Sequence, residues 1–151
     1  MTTDFQAIAD GLSAAVPFVR TLGLEYVELS ADRAVLRMPD RPDLHNHVGG
    51  PHAGAIFALG ESASGAVVIG SFADLLDRLT PLAASGEITY LALAKGDVTA
   101  EARLDTTREQ VLADVEAGKT AKFTVLITIR DPEGTVTSEM SVRWALRPNS
   151  R

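Results

Sequence analysis

The stretch from residue 53 to residue 70, AGAIFALGESASGAVVIG, decides the fold. It has helical length, contains no proline and carries one charge, Glu61. A helix that is apolar on nearly all sides is buried on most of them. A membrane-spanning helix is the competing interpretation, but the run is short, rich in glycine and serine, and interrupted by a carboxylate. We therefore predict the central helix of a globular domain.

Alternation of apolar and polar residues dominates the chain after Gly86 and predicts antiparallel strands. Successive side chains of a strand point to opposite faces, so a half-buried strand shows a period of two. Two shorter strand-like runs, 24–29 and 34–38, precede the long helix and predict a hairpin. The later strands are expected at 98–104, 123–129 and 136–146, the last two joined by a turn at 131–134. This order predicts an α+β fold with a curved sheet around the helix.

An amphipathic helix is predicted over residues 3–16, where apolar side chains form one stripe. Thr3 and Gln6 have the spacing of a capping box, and Pro17 is expected to end the helix.

Two more helical segments are predicted, one before and one after the strand expected at 98–104. Ser71 is expected to cap a piece that Pro81 ends and whose apolar face consists of Phe72, Leu75, Leu76 and Leu79. Residues 107–117 predict a short helix with a capping box at its start and Gly118 at its end.

Length and composition indicate one domain spanning residues 1–151, with 46% hydrophobic and 23% charged residues. The formal net charge of −6 leaves no basic surface for a phosphate backbone, so we expect neither nucleic acid nor an anionic membrane as a partner. The chain has no cysteine, which excludes disulfides, thiolate nucleophiles and cysteine-based metal sites. The N-terminal residues do not have the pattern of a signal peptide, so we expect a cytoplasmic protein.

The candidate site lies where an irregular loop, residues 41–51, leads into the long helix. His45, His47 and His52 fall within eight residues, and Glu61 follows in the helix itself. A carboxylate in so apolar a helix has its pKa raised by desolvation unless hydrogen-bond donors compensate. A raised pKa suits a group that takes a proton and returns it, so Glu61 is the candidate general base.

The start of the long helix is a candidate oxyanion hole. Small residues around Gly54 leave backbone N–H groups free to stabilise a developing negative oxygen. Gly54 and Glu61 are seven residues apart, which places them on one face of the helix and about 10 Å apart along its axis.

Other interpretations of these residues stay open from the sequence. Glu61 could be a structural carboxylate paired with an arginine or histidine. His45 and His47 could bind zinc with His52 or Glu61 as the third ligand, although their order matches no zinc motif. For His45 and His47, solvated loop residues are the favoured interpretation. A Ser–His–Asp triad is disfavoured because the chain has no G-x-S-x-G elbow.

The loop and helix start resemble hotdog-fold thioesterases of the phenylacetate-degradation, PaaI-like type. That family's signature runs N-x-x-G-x-x-H-G-G-x-x-x-x-L-x-[DE], and the chain matches it at Asn46, Gly49, His52, Gly54, Leu59 and Glu61. Ala53 replaces the first glycine of the pair. Ile88 to Leu91, Gly118-Lys119 and Arg143 to Leu146 are also similar to members of the superfamily, so the resemblance covers nearly the whole chain.

The resemblance implies a hotdog fold, in which an antiparallel sheet of five or six strands wraps around residues 53–70. It also implies a homodimer with continuous sheets, or a dimer of dimers, with active sites at the subunit interface. Glu61 would activate water or attack the thioester carbonyl directly, and the Gly54 amide would polarise that carbonyl. Asn46 and His52 would orient the carbonyl or the water, or His52 would hold the loop. The expected substrate-binding residues are Gly49, Ala53, Phe57 and Tyr90.

The function expected is therefore hydrolysis of an acyl-CoA-type thioester without a metal or an organic cofactor. Hydration of enoyl thioesters is an alternative on the same fold, disfavoured by the spacing of His52 and Glu61 and by the absence of a proline-glycine pair before the helix. A module that binds an acyl thioester or another small ligand without catalysis is a further alternative.

Overall fold

The computed structural model describes residues 3–150, in which six strands form one antiparallel sheet. The strands are β1 (Glu25–Leu29), β2 (Arg33–Met38), β3 (Leu79–Tyr90), β4 (Val98–Leu104), β5 (Ala121–Arg130) and β6 (Val136–Pro148). Their order across the sheet is β1-β2-β4-β5-β6-β3. The helices are α1 (Phe5–Ala15), α2 (Pro17–Leu22), α3 (Ala53–Ser71) and α4 (Arg108–Glu116), with 3-10 turns at Pro42–Leu44 and Ala73–Leu75.

Helix α3 is the centre of the domain, as the sequence predicts. It packs against β2, β4 and β5, whose inward side chains form the core with it. Burial alternates along β4 and β5: Val98, Ala100 and Ala102 of β4 are buried, and every second residue of β5 from Ala121 to Ile129 is buried. The helix has the length and hydropathy of a membrane span, but more than half of it is buried inside the protein. The α+β hotdog arrangement is thus confirmed, with six strands.

Gly60 is the point of closest approach between α3 and the sheet, and a chain of two hydrogen bonds links Trp144 to the helix beside it. A Cβ at Gly60 would lie 2.5 Å from Met140 Sδ, so the helix contacts β6 there through its backbone. One turn further on, Gly65 faces the ring of Trp144. Trp144 Nε1 donates to Ser64 Oγ at 3.1 Å, and Ser64 Oγ donates in turn to the Glu61 carbonyl at 2.7 Å. Both polar groups are therefore satisfied in the core.

The N-terminal segment differs from the prediction in its cap and in its end. Asp4 caps α1 by accepting from the Ala7 amide at 3.0 Å, so Thr3 and Gln6 do not form a capping box. Pro17 ends α1 but also begins α2, because proline's fixed φ is compatible with the first helical position. The Thr107–Gln110 capping box of α4 is confirmed.

The helical piece predicted between Ser71 and Pro81 is wrong. Only Ala73–Leu75 is helical there, and Leu79 already begins β3. Pro81 lies inside this strand because β3 is at the sheet edge, where a residue without an N–H is tolerated. The residues expected to end a helix therefore belong to a 12-residue edge strand, most of which is exposed.

Alanine at Gly60 and alanine at Gly65 are expected to have opposite effects on stability. Both changes improve helix propensity by about 1 kcal/mol. Only the Gly60 methyl group must displace a core side chain, at a cost of about 1–3 kcal/mol. Chemical denaturation should show Gly60→Ala to be less stable than Gly65→Ala. Equal stabilities would show that α3 does not approach the sheet as closely as described.

Candidate active site

Glu61, on α3, is a lining residue of two clefts. The first cleft, of about 250 Å³, lies between α3 and the N-terminal helices. Its other lining residues are Leu12, Val16, Val19, Tyr26, Ser62, Gly65, Ala66, Ile69, Pro81 and Trp144. The second cleft, of about 180 Å³, lies between α3 and the edge strand and is lined by Phe57, Ala83, Ala84, Ser85, Gly86 and Val142. Glu61 is thus a residue that the two linings share.

Burial raises the pKa of the Glu61 carboxyl above its ordinary value, and desolvation is the one cause. Among residues 3–150, no lysine, arginine or histidine forms an ion pair with it. The structural alternative, a carboxylate locked to a cation, therefore has no support in the described residues. A half-buried acid without a cation is poised to exchange a proton with a ligand in either cleft.

Asn46 organises the loop before α3. Its Oδ1 accepts from the Val48 amide at 3.0 Å and from the Gly50 amide at 3.1 Å, and its Nδ2 donates to the Pro51 carbonyl at 3.4 Å. Asparagine stabilises turns by bonding nearby backbone groups in this way. The side chain is thus engaged with its own loop.

Two glycines of the loop meet different constraints. Gly49 has a positive φ of 79°, which favours glycine. A Cβ at Gly50 would lie 2.5 Å from the Ala94 carbonyl oxygen, so glycine is needed for the loop to pack on the segment after β3. The sequence drew attention to Gly49 through the family signature and gave no reason to single out Gly50.

His52 caps α3. Its Nδ1 accepts from the Gly54 amide at 2.8 Å, so the neutral ring carries its proton on Nε2. The space beside Gly54 is taken by this ring, since a Cβ there would lie 3.1 Å from His52 Nδ1. The predicted oxyanion donor is therefore bonded within the chain. Tyr90 lies at the same end of the helix, where its hydroxyl donates to the Ala53 carbonyl at 2.8 Å.

The other two histidines form no cluster with His52. His45 Nε2 lies 2.6 Å from Asp40 Oδ1, and His47 is exposed. Within residues 3–150, no three His, Asp or Glu side chains are placed to hold a metal ion.

The predicted site residues fall into two groups. Glu61 and Phe57 share the second cleft. The other six belong to the start of α3 or contact it: Asn46, Gly49, His52, Ala53 and Gly54 lie in the loop and helix start, and Tyr90, at the end of β3, bonds to Ala53. Gly54 is about 10 Å from Glu61 along the helix axis. Sequence reasoning missed the lining contributed by α1, the β3 edge and Trp144. Those residues lie far from Glu61 in the chain, and no local pattern connects them.

A family model described as a domain of unknown function, DUF4442, matches residues 5–146. The chain belongs to the DUF4442 family. No curated protein sequence is significantly similar to it.

Solved structures similar to this DUF4442 protein share its fold over nearly the whole chain. The Pseudomonas aeruginosa protein PA5026, described as a protein of unknown function and "Probable Thioesterase", is 29% identical, with a TM-score of 0.86 and 99% of each chain covered. The E. coli PaaI protein from the phenylacetic acid degradation operon is 15% identical, with a TM-score of 0.74, 94% of this chain and 92% of that chain covered. A mutant of the Staphylococcus aureus thioesterase SAV0944 is 21% identical, with a TM-score of 0.70, 88% of this chain and all of that chain covered. The last two similarities concern the fold alone.

Replacing Glu61 by glutamine is expected to stabilise this DUF4442 protein at neutral pH. Folding raises the pKa of the Glu61 carboxyl. Such a carboxyl contributes its full stability at pH values below its pKa in the unfolded chain, about 4.3. This contribution is lost as the pH rises through the pKa of the folded protein. Glutamine resembles the protonated form at every pH. The Tm of Glu61→Gln should therefore exceed that of wild type at pH 7.5, and the difference should shrink towards pH 4.5.

Glu133→Gln, in the exposed turn between β5 and β6, is the matched control and should show no such pH-dependent gain. A Glu61→Gln variant less stable than wild type at pH 7.5 would mean that a cation holds the carboxylate.

Proposed function

We propose that this protein hydrolyses acyl thioesters of the acyl-CoA type, with Glu61 as the catalytic carboxylate. The observation that supports this most is a half-buried acid, Glu61, that belongs to the lining of two clefts and has no ion-pair partner among residues 3–150. A thioester has an acyl arm and a thiol arm, so a single acid between two clefts matches the layout of such a substrate. The names of the related PA5026 and SAV0944 proteins agree with this class of reaction.

In the proposed reaction, Glu61 acts as general base towards a water molecule. The carboxylate takes a proton as the water oxygen forms a bond to the thioester carbonyl carbon. The C–S bond then breaks, and Glu61 returns the proton to the leaving thiolate. The products are a carboxylic acid and a thiol, and no other reactant is needed. Direct attack by Glu61 would instead break the C–S bond, expel the thiolate and form an anhydride with the acyl group; water would then cleave the anhydride, restoring the Glu61 carboxylate, and the proton released would go to the thiolate.

Stabilisation of the carbonyl oxygen is assigned to amides at the start of α3. In the chain described, the Gly54 amide is bonded to His52, and it lies about 10 Å along the helix from Glu61. A reacting carbonyl has to lie about 3 Å from its oxyanion donors. A helix start from a second copy of the chain would meet this distance better than the chain's own, and the His52 ring of that copy would have to release the Gly54 amide for it to donate to the substrate.

We therefore also propose a homodimer of single-domain chains, residues 1–151 each, that meet at β3. A long exposed edge strand invites pairing with another strand. The second cleft lies at this edge, and Tyr90 connects the end of β3 to the start of α3. Antiparallel pairing of β3 with its copy would bring the second chain's helix start towards the Glu61 cleft. Asn46 and His52 are assigned to shaping that helix start, and Gly49 and Ala53 to the substrate path beside it.

Thiol release from a panel of acyl-CoAs tests the proposed function. Glu61→Gln should lower kcat by about 10² to 10⁴, the usual contribution of a general base, with a smaller change in KM. Glu133→Gln should keep the wild-type rate. For wild type, log kcat/KM should rise with pH and level off above a midpoint higher than the ordinary glutamate pKa.

Three outcomes of this assay would contradict the proposal. Wild-type thiol release that Glu61→Gln leaves intact removes Glu61 from the chemistry. Hydration of an enoyl-CoA without thiol release indicates the hydratase alternative, and saturable binding without turnover indicates a binding module.

The dimer is tested by sedimentation equilibrium at the concentrations of the assay. With a chain of 16.0 kDa, the expected mass is a multiple of two chains. Specific activity should fall on dilution as the dimer dissociates. A fully active monomer would contradict the assignment of the helix start to a second copy.

A further inference from the structure

The first cleft is apolar over most of its length. Leu12 of α1, Val19 of α2 and Val16 between the two helices line it, and the ring of Trp144 lies beside Gly65. The residues with polar side chains in this lining are Glu61, Ser62 and Tyr26. A ligand that fits here is therefore apolar, with one polar end at Glu61.

The second cleft has a different character. Its wall is the backbone of the edge strand between Ala83 and Gly86, where the pairing of β3 with β6 shifts register. In the single chain, small residues and a sheet edge form a passage from Glu61 to the surface, and in the proposed dimer this passage lies at the seam between the two copies. A long, polar thiol arm fits this passage better than it fits the apolar cleft.

We infer that the first cleft is the acyl-binding site and that it takes apolar acyl groups of about six to ten carbons. Helices α1 and α2 set the upper limit on the length of the acyl group. The inference rests on the proposed thioesterase function and assigns its substrate class. An engineered apolar cavity of about 150 Å³ binds benzene. At the same volume per carbon atom, the first cleft of about 250 Å³ has room for about ten carbons. Each methylene group that the cleft buries raises affinity about fourfold. Short acyl groups leave the cleft partly empty, and long ones have to displace Leu12 or Val16.

Trp144 is the chain's one tryptophan and reports directly on this cleft. Glu61→Gln, which should bind an intact thioester without cleaving it, is titrated with octanoyl-CoA while tryptophan fluorescence is followed. A saturable change is expected with octanoyl-CoA, and none with free CoA or acetyl-CoA at the same concentrations. Equal changes with free CoA, or no change with octanoyl-CoA, would overturn the inference.

Selectivity between octanoyl-CoA and acetyl-CoA provides a second test. Gly65→Leu and Val16→Phe fill the cleft from two different sides, and each should lower the ratio of the two kcat/KM values at least tenfold. Val16 is 38% exposed, so the second variant folds even if leucine at Gly65 disturbs α3. Gly11→Ala, on a part of α1 with open space around it, should keep the wild-type ratio.

Filling the second cleft should have a different result. Ala84→Leu obstructs the arm that both substrates share, so both kcat/KM values should fall while their ratio stays the same and sedimentation equilibrium still shows the dimer. The assignment of the clefts would be contradicted if Gly65→Leu and Val16→Phe both kept the wild-type ratio of kcat/KM for octanoyl-CoA to that for acetyl-CoA. It would also be contradicted if Ala84→Leu changed this ratio.

The two proposals fail in different ways. If wild type releases no thiol from any acyl-CoA while Trp144 still responds selectively to octanoyl-CoA, hydrolysis is wrong and the acyl site stands. If thiol release depends on Glu61 but no substitution in the first cleft changes its selectivity, the proposal of hydrolysis is supported and the assignment of the acyl site is wrong.

Discussion

The desolvation of one carboxylate is the constraint on which the site depends. Glu61 is the one charged residue of α3, and within residues 3–150 no cation is paired with it. An acid placed there lowers the stability of the fold at neutral pH, because its ionised form is poorly solvated. A leucine or glutamine would suit the helix better. A carboxylate kept at such a cost is typical of a functional site.

The same helix builds the core and the site, and small residues make both possible. Gly60 lets α3 contact β6 through its backbone, and Gly65 leaves space beside Trp144 that becomes part of the first cleft. Larger residues at these positions would separate the helix from the sheet or fill the cleft. The low charge of α3 reflects its central position, and its many small residues reflect close packing on one side and a ligand-sized space on the other.

Periodicity predicted those parts of the fold that local sequence determines. The central helix, the β1–β2 hairpin, the alternation of β4 and β5 and the Thr107 cap each depend on neighbouring residues, and the structure confirms them. The segment after Ser71 was predicted wrongly because its apolar spacing resembles a helix, and only its place at the sheet edge explains why Pro81 lies in a strand.

The site was only partly predictable because it, too, depends on contacts between segments that are distant in the sequence. The sequence singled out Glu61 as a lone charge, and the structure adds the two clefts that it faces. Those clefts depend on contacts between α3 and distant segments such as α1 and β3, which no local pattern encodes. The engagement of the Gly54 amide by His52 likewise depends on the conformation of a side chain.

The most direct test of this account is the titration of Glu61 itself by NMR of ¹³C-labelled side-chain carboxyls, with Glu61→Gln used to assign the signal. The account predicts that this carboxyl titrates clearly above the ordinary glutamate value of about 4.3. It also predicts that an apolar acid such as octanoate, bound in the first cleft, changes that titration. A Glu61 that titrates at or below the ordinary value would show a solvated or paired carboxylate and would contradict the account.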